Sequence, residues 1–178
     1  MKRLDLPPSW RGRAVIITDV DDPESWFTAA ELSTVRAFAR EKRRREWMLS
    51  RIAESVLREQ GAAGANVSFS HSGRYGAAAV GVAPVGIDVE VVRPISERAA
   101  HLFLTDEEIA VMERCTIEHR MLHFWGAKEA LWKQRGGAVA TLKKIPLTLD
   151  EELRNALRFR GVETYAAPDV ITALTTED

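Results

Sequence analysis

Hydrophobic and polar residues are arranged along the chain in patterns that predict both strands and helices. The β-branched segment Arg13–Val20 is bounded by turn residues and predicts a strand. A helix is predicted over 27–61, because apolar residues recur there at helical spacing and Thr28, with Glu31 three residues on, can cap its start. We expect this helix to break near Arg40–Arg43, where the apolar spacing is lost.

The rest of the chain predicts further strands and two more helices. Residues 65–82 are typical of two short strands joined by a polar, glycine-containing turn. In Val85–Val92, acidic residues alternate with apolar ones, which predicts another strand. Thr105 is placed to cap a helix over 105–115. The remaining elements are a helix over 117–135, stopped by a double glycine, and closing strands over 143–149 and 169–175.

The two halves of the chain resemble each other in outline. Each has a long helix that carries a tryptophan followed by basic residues, then a glycine turn, then paired strands. We therefore predict a mixed α/β (α+β) fold built from two similar halves, residues 1–84 and 85–178, that form a pseudo-dimer. A functional site is expected at the seam between them.

Composition and charge exclude several classes of protein. The 178 residues are 46% hydrophobic and 29% charged with a formal net charge of −1, which is ordinary for a globular protein and does not favour binding to nucleic acid. The single cysteine, Cys115, excludes an intramolecular disulfide and fits a reducing compartment. With no signal peptide or membrane-length apolar run in the sequence, we expect a soluble, cytoplasmic protein.

Two short motifs on predicted strands could carry chemistry. Asp88 and Glu90 lie two residues apart, so their carboxylates leave the same face and could form half of a Mg²⁺ site; the alternative is an exposed strand edge. Ser70–Gly73 (SHSG) lies at a strand end and could donate hydrogen bonds to a phosphate, or form an ordinary turn. A serine nucleophile is disfavoured, because the glycine that precedes the serine in a nucleophile elbow is missing.

Two helical segments carry groups suited to anions. Glu41–Trp47 (EKRRREW) is either a solvated helix face or a phosphate-binding one, since arginine suits anionic oxygens. In the helix over 117–135, Lys128 and Glu129 share a face with two tryptophans, and Lys133 follows one turn later. This helix could be a core helix with a surface ion pair. Alternatively, it could present a carboxylate base beside lysines that face phosphate oxygens.

Taken in order, the motifs SFSHSG, GIDVE, FLTDEE and FWGAKEALWK resemble the signatures of the phosphopantetheinyl transferases, and most closely the surfactin-synthetase-type, pseudo-dimeric branch. The resemblance extends from about residue 32 to about residue 174. It implies transfer of the 4′-phosphopantetheine group from coenzyme A to a serine of an apo acyl or peptidyl carrier protein, with Mg²⁺ as cofactor and adenosine 3′,5′-bisphosphate as the second product. Because a pseudo-dimer completes its site within one chain, we expect a monomer, and the near-neutral charge and interrupted apolar stretches predict neither nucleic acid nor a membrane as partner.

The resemblance also implies roles for the acidic residues of the motifs. Asp88 and Glu90 match the family's Mg²⁺-binding acids. Glu107 matches the third acid, with Glu108 as the alternative if the alignment slips by one residue. Glu129 matches the base that activates the carrier serine.

Coenzyme A is expected to be held by seven basic or hydroxyl side chains. By the resemblance, a serine and a histidine hold its phosphates, two lysines contact the pyrophosphate, of which Lys128 also takes part in catalysis, and arginines bind the nucleotide end. These residues are Ser70, His71, Lys128, Lys133, Arg44, Arg45 and Arg51.

Three rival functions make different predictions. A non-catalytic relative would bind coenzyme A without transferring any group. A Mg²⁺-dependent phosphohydrolase would use the same acids with water as nucleophile, and would release product without a carrier protein. A nucleic-acid-binding module using Arg43–Arg45 would show salt-sensitive binding to duplexes.

Overall fold

The computed structural model describes residues 1–176, so the last two residues of the predicted 85–178 half lie outside the described part. The strands are β1 (Lys2–Arg3), β2 (Ala14–Thr18), β3 (Asn66–Ser72), β4 (Tyr75–Gly81), β5 (Ile87–Val91), β6 (Leu149–Leu153), β7 (Ala156–Phe159), β8 (Val162–Ala167) and β9 (Val170–Thr175). The α-helices are α1 (Ala29–Arg36), α2 (Glu41–Glu59), α3 (Ala100–Phe103), α4 (Asp106–Arg114) and α5 (Arg120–Gln134).

The strands form two antiparallel sheets. The first sheet has the order β1-β2-β4-β3, and the second has the order β5-β9-β8-β7-β6. β3 and β5 are edge strands of their own sheets and lie next to each other. The predicted mixed α/β class is therefore confirmed. The predicted boundary at residue 84/85 falls between β4 and β5, and stays a prediction.

Alternation along the strands divides the core into three clusters. Ile16 of β2 and Ile87 of β5 belong to a central cluster that both sheets share. The neighbouring Ile17 faces the other way and packs with Ile52 of α2. On the second sheet, Phe124 of α5 belongs to a third cluster with residues of β7 and β9. The side chains of β5 that turn away from the central cluster are thus left to face α5.

The helix starts follow the sequence closely. Thr28 and Thr105 each accept a hydrogen bond from the backbone N–H three residues on, and each forms a complete capping box with the glutamate there. The predicted break between helices is confirmed, since α1 ends at Arg36 and α2 begins at Glu41. These local signals depend on only a few neighbouring residues, which is why sequence reasoning finds them.

The strand predicted over 143–149 is wrong. Residues Leu142–Lys144 form a 3-10 helix, and only Leu149 belongs to a strand. In the segment between them, backbone groups bond to side chains. The Ile145 carbonyl accepts a hydrogen bond from Lys128, and the Leu147 N–H donates to Glu108. These backbone groups are therefore bonded to side chains instead of a neighbouring strand.

Two glycines occur where a side chain would not fit. Gly73 turns the chain between β3 and β4 with a φ of +56°, in the left-handed region that favours glycine. At Gly86, just before β5, an added Cβ would overlap the carbonyl oxygen of Ala130 on α5. Glycine at this position lets β5 start directly against the helix. Within residues 1–176, no helix is long and apolar enough to cross a membrane.

His123 lies on the buried side of α5, where protonation is unfavourable. The side chain is fully buried, its Nδ1 is 2.7 Å from the Thr164 hydroxyl, and its Nε2 has no hydrogen-bond partner among residues 1–176. Burial, with a further contribution from the nearby His119, lowers the pKa of His123 to about 4, from an ordinary value of 6.5. The imidazole is thus neutral in the folded protein at pH 7.

Acid should therefore destabilise the protein through His123. Between pH 6.5 and about 4 the unfolded chain binds a proton at this residue and the folded chain does not, so the free energy of unfolding falls as pH falls, by up to about 3 kcal/mol. Above pH 6.5 this contribution is constant. Urea unfolding from pH 7.5 to 4.5 should show a shallower pH dependence for His123→Gln than for the unsubstituted protein. His101→Gln, at an exposed position, is the control, and identical slopes for all three proteins would contradict the assignment.

Candidate active site

The two acids of β5 face α5 across the seam between the sheets. Because Ile87 and Val89 point into the central cluster, Asp88 and Glu90 leave the opposite face. On α5, Trp125, Glu129 and Lys133 are spaced four residues apart and so share one side of the helix. The fold brings together an acidic strand face and one stripe of a helix.

Lys133 and Ser70 hold Asp88 in place. The Lys133 ammonium donates to Asp88 Oδ1 at 2.7 Å, to the Ser70 hydroxyl at 3.1 Å and to the Ile87 carbonyl at 3.0 Å. The Ser70 hydroxyl in turn donates to Asp88 Oδ1 at 2.9 Å and accepts the Val89 N–H. With one proton and two lone pairs, the Ser70 hydroxyl is fully occupied. The structure thus differs from the predicted contact between this hydroxyl and a phosphate.

Glu90 is held by groups from three different elements. Its Oε1 accepts the Trp125 indole N–H at 3.0 Å, and its Oε2 accepts the Ser72 hydroxyl at 3.1 Å. Arg93, in the loop after β5, lies 3.7 Å away. Both carboxylate oxygens of Glu90 therefore have a fixed direction.

Negative charge is concentrated where the strand and helix meet. Burial raises the pKa of Glu90, and the charge of Asp88 raises it further. Burial likewise raises the pKa of Glu129. The charges of Asp88 and Glu90 raise it further, and Lys133 opposes them. The charge of Asp88 thus disfavours the ionisation of both glutamates. A cation bound among them would relieve this repulsion.

The residues present suit a Mg²⁺ ion. Asp88 Oδ2 is buried without a hydrogen-bond partner in the described part of the chain, and such an oxygen is a ready ligand. Residues 1–176 contain no group of three His, Cys, Asp or Glu side chains already gathered as a metal site. Asp88 and Glu90 would thus supply two ligands, and Mg²⁺ usually completes its shell with water and substrate phosphates.

Lys128 lies away from this site. Its side chain is fully buried, and its ammonium donates to both oxygens of Glu108, at 2.9 and 2.7 Å, and to the Ile145 carbonyl at 2.6 Å. Consecutive helical residues point about 100° apart, so Lys128 faces α4 while Glu129 faces the seam. Burial lowers the pKa of Lys128, although Glu108 opposes this. The predicted contact between Lys128 and the pyrophosphate is therefore not what this geometry offers.

The third acid predicted from the resemblance is also displaced. Glu107 is exposed in the first turn of α4, and hydrogen bonds there, with its own backbone N–H and with Thr105, lower its pKa. The alternative, Glu108, is committed to Lys128 and to capping α4. The charges of Asp88 and Glu90, by contrast, both raise the pKa of Glu129. The carboxylate that joins Asp88 and Glu90 is that of Glu129.

A cationic end of the seam is built around His71. Its Nε2 lies 3.0 Å from the Arg43 guanidinium, and its Nδ1 lies 3.6 Å from Glu46. Burial lowers the pKa of His71, and the charges of Arg43 and Lys133 lower it further, which outweighs the effect of Glu46. His71 is thus a neutral group beside the Arg43 guanidinium, and Glu46 lies 3.9 Å from the same guanidinium.

Sequence reasoning chose other arginines of the same helix. Arg44 donates from Nε to the Phe38 carbonyl at 2.9 Å, and together with Arg45 it lines a cavity between α1 and α2. Arg51 stacks its guanidinium on the ring of Phe69, 3.7 Å from the centroid, and over Trp47 at 5.3 Å. The residue that contacts His71 is Arg43. It belongs to the same basic run, but nothing in the sequence distinguishes it from the neighbouring arginines.

Trp125 was likewise missed as a contact of the acids. It appeared in the sequence only as a member of an amphipathic stripe, and its indole N–H to Glu90 becomes evident only when strand and helix are placed together. Its position four residues before Glu129 is the one signal that could have indicated a shared face.

Sequence comparison relates the chain to known proteins. A family model of the 4′-phosphopantetheinyl transferase superfamily matches residues 84–173, half of the chain. The 4′-phosphopantetheinyl transferase psf-1 of Bacillus pumilus is 32% identical over 108 residues, covering 58% of this chain and 45% of that protein. The 4′-phosphopantetheinyl transferase Sfp of Bacillus subtilis (strain 168) is 33% identical over 89 residues, covering 48% of this chain and 37% of that protein.

The chain belongs to the 4′-phosphopantetheinyl transferase superfamily. Its similarity to Sfp and psf-1 supports the surfactin-type branch within that superfamily, so the predicted family and branch are confirmed. The chain matches less than half of the length of either relative.

Proposed function

We propose that the protein transfers the 4′-phosphopantetheine group from coenzyme A to a serine hydroxyl of an apo carrier protein, with Mg²⁺ as cofactor and adenosine 3′,5′-bisphosphate as the second product. The observation that carries this proposal is the seam itself. An acidic cluster of Asp88, Glu90 and Glu129 borders the Lys133 ammonium, whose charge also acts on His71, and the Arg43 guanidinium lies 3.0 Å from the His71 ring. A pyrophosphate needs both kinds of group, a metal site and fixed positive charges.

The proposed roles follow from the positions of the side chains. Asp88 and Glu90 would hold Mg²⁺, whose bound charge stabilises the phosphate oxygens. His71 and Arg43 would contact phosphates of coenzyme A, and Lys133 would exchange its bond to Asp88 for one to the pyrophosphate. This exchange is reasonable because a metal bound to Asp88 would replace the lysine as its cationic partner.

Glu129 would act as the base. As the carrier serine oxygen attacks the phosphorus attached to pantetheine, its proton passes to the Glu129 carboxylate and the bond to the bridging oxygen breaks. That oxygen leaves on adenosine 3′,5′-bisphosphate with the electron pair. A raised pKa suits this role, because a base works best when its pKa is near the working pH.

Intact-protein mass spectrometry tests the proposal directly. Apo carrier proteins incubated with the protein, coenzyme A and Mg²⁺ should gain the mass of one phosphopantetheine group. Chelation of the metal, or Asp88→Ala, should abolish the gain. Coenzyme A binding without any mass gain would favour the non-catalytic reading. Release of adenosine 3′,5′-bisphosphate in the absence of a carrier would favour a phosphohydrolase.

The proposal also includes a cytoplasmic location, a monomeric state and a carrier protein from fatty-acid, polyketide or nonribosomal-peptide synthesis. We expect a monomer because both sides of the seam come from one chain. Size-exclusion chromatography with light scattering tests this expectation. Fatty-acid, polyketide and nonribosomal-peptide carriers assayed side by side would rank the partners.

A further inference from the structure

Three serines of β3 bridge the two sheets through their hydroxyl groups. They occupy alternate positions on the strand, so Ser68, Ser70 and Ser72 leave the same face, opposite to Phe69. Each hydroxyl oxygen accepts a hydrogen bond, at 3.1 to 3.2 Å, from an alternate backbone N–H of β5: those of Ile87, Val89 and Val91. We call this row of residues the serine stripe.

The serine stripe does more than join the sheets. The Ser70 hydroxyl also donates to Asp88 at 2.9 Å, and the Ser72 hydroxyl donates to Glu90 at 3.1 Å. Ser68 makes the bond to β5 but has no carboxylate partner in the part of the chain that the structure describes. The three serines thus share one backbone interaction, and two of them add a bond to a proposed metal ligand.

The chemistry of a hydroxyl explains how such a residue orients an acid. A serine hydroxyl has a single proton, and the N–H from β5 fixes the position of its oxygen. At Ser72 the proton is then directed to Glu90 Oε2, while Trp125 holds Oε1. Each carboxylate oxygen keeps a second lone pair for a cation. Both bonds also favour the charged form of Glu90, against its burial.

We infer that Ser72 is a positioning residue for Glu90, and that Ser70 serves Asp88 in the same way: the serine stripe sets the two carboxylates for a divalent cation while it joins the sheets. This inference rests on the proposed function, because it takes Asp88 and Glu90 as metal ligands. Partners that orient metal ligands typically change metal affinity 10- to 100-fold when removed.

The chain offers a matched control for this inference. Ser72→Ala removes a bond to β5 and the bond to Glu90, whereas Ser68→Ala removes a bond to β5 alone. Mn²⁺, which is paramagnetic, is the probe in place of Mg²⁺, and free Mn²⁺ can be followed by electron paramagnetic resonance without coenzyme A or a carrier. Both variants should show a lowered Tm in thermal unfolding.

The expected result is that Ser72→Ala weakens Mn²⁺ binding by about tenfold or more, and Ser68→Ala leaves it unchanged. Ser72→Thr, which keeps the hydroxyl, should restore the affinity. If Ser72→Ala does not fold, Ser72→Cys keeps the size of the side chain with a weaker donor, and should show the same loss.

Equal weakening in Ser68→Ala and Ser72→Ala would overturn the inference, because the stripe would then act only through the fold. Unchanged binding in Ser72→Ala would overturn it as well. If the unsubstituted protein bound no Mn²⁺ either alone or with coenzyme A present, the metal assignment in the proposed function would fail first. The two failures are therefore distinguishable.

Discussion

Lys128→Met is expected to lower the free energy of unfolding by about 3–5 kcal/mol, the cost typical of removing one partner from a buried ion pair. The substitution leaves the Glu108 carboxylate buried without its cation, and it removes the bond to the Ile145 carbonyl. Since a domain is typically stable by only about 5–15 kcal/mol, this is a large part of the whole. Urea unfolding followed by circular dichroism measures the change.

Two further variants make this prediction specific. Lys144→Met alters an exposed lysine of the same segment and should change the free energy of unfolding by less than about 0.5 kcal/mol. The double variant Lys128→Met with Glu108→Gln removes both charges and keeps one oxygen for the cap of α4, at the loss of the acceptor for the Leu147 N–H. Since an unpaired buried charge costs more than an unpaired N–H, it should still be more stable than Lys128→Met alone. A Lys128→Met protein of unchanged stability with a raised KM for coenzyme A would show instead that Lys128 contacts the substrate.

Glu129→Gln is expected to lower the rate of phosphopantetheine transfer by about 10²–10⁴-fold, the range typical of losing a general base. Coenzyme A binding should remain, because the amide keeps the shape of the side chain and no cation of the phosphate end is altered. Transfer rates come from the mass-spectrometric assay, and coenzyme A affinity from calorimetry.

The control for this variant is Glu107→Gln. Glu107 is exposed on α4 and outside the acidic cluster, so its substitution should leave the transfer rate unchanged. If Glu129→Gln also weakened Mn²⁺ binding strongly, Glu129 would be a metal ligand instead of the base. Loss of transfer in Glu107→Gln would restore Glu107 as the third acid, and normal transfer in Glu129→Gln would refute the assignment of Glu129 as the base.

Sequence alone located the acidic strand because the physical rule is simple. Residues two apart on a strand share a face, and this was sufficient to pair Asp88 with Glu90. The same rule places the residues of the serine stripe on one face, but the role of the stripe could not be predicted from it. Nothing in the sequence indicates that β3 and β5, edge strands of different sheets, lie side by side.

Helical residues were harder to assign, since the sequence does not fix which side of a helix meets the sheet. Lys128 and Glu129 are neighbours in the chain but face different partners, α4 and the seam. For Glu108 a usable signal was present. Its position three residues after Thr105 is that of a capping-box glutamate, which predicts a structural role.

The strands β6 to β8 were not predicted, and their composition explains why. β6 is largely exposed, with three consecutive acidic residues, 150–152, so it lacks the alternation of a half-buried strand. Its place in the sheet comes from pairing with β7. Tertiary contacts, not local preference, make this segment a strand.

The way the sheets end bears on the behaviour of the protein at high concentration. A bare strand edge invites another chain to pair with it and aggregate. Here the outermost strand of one sheet, β1, has only two residues, both basic, and that of the other, β6, carries the acidic run and an irregular register. The other two edge strands, β3 and β5, face each other. The serine hydroxyls accept hydrogen bonds from the N–H groups of β5 that another chain's backbone could otherwise pair with. The seam that positions the carboxylates therefore also protects the protein against aggregation through edge-strand pairing.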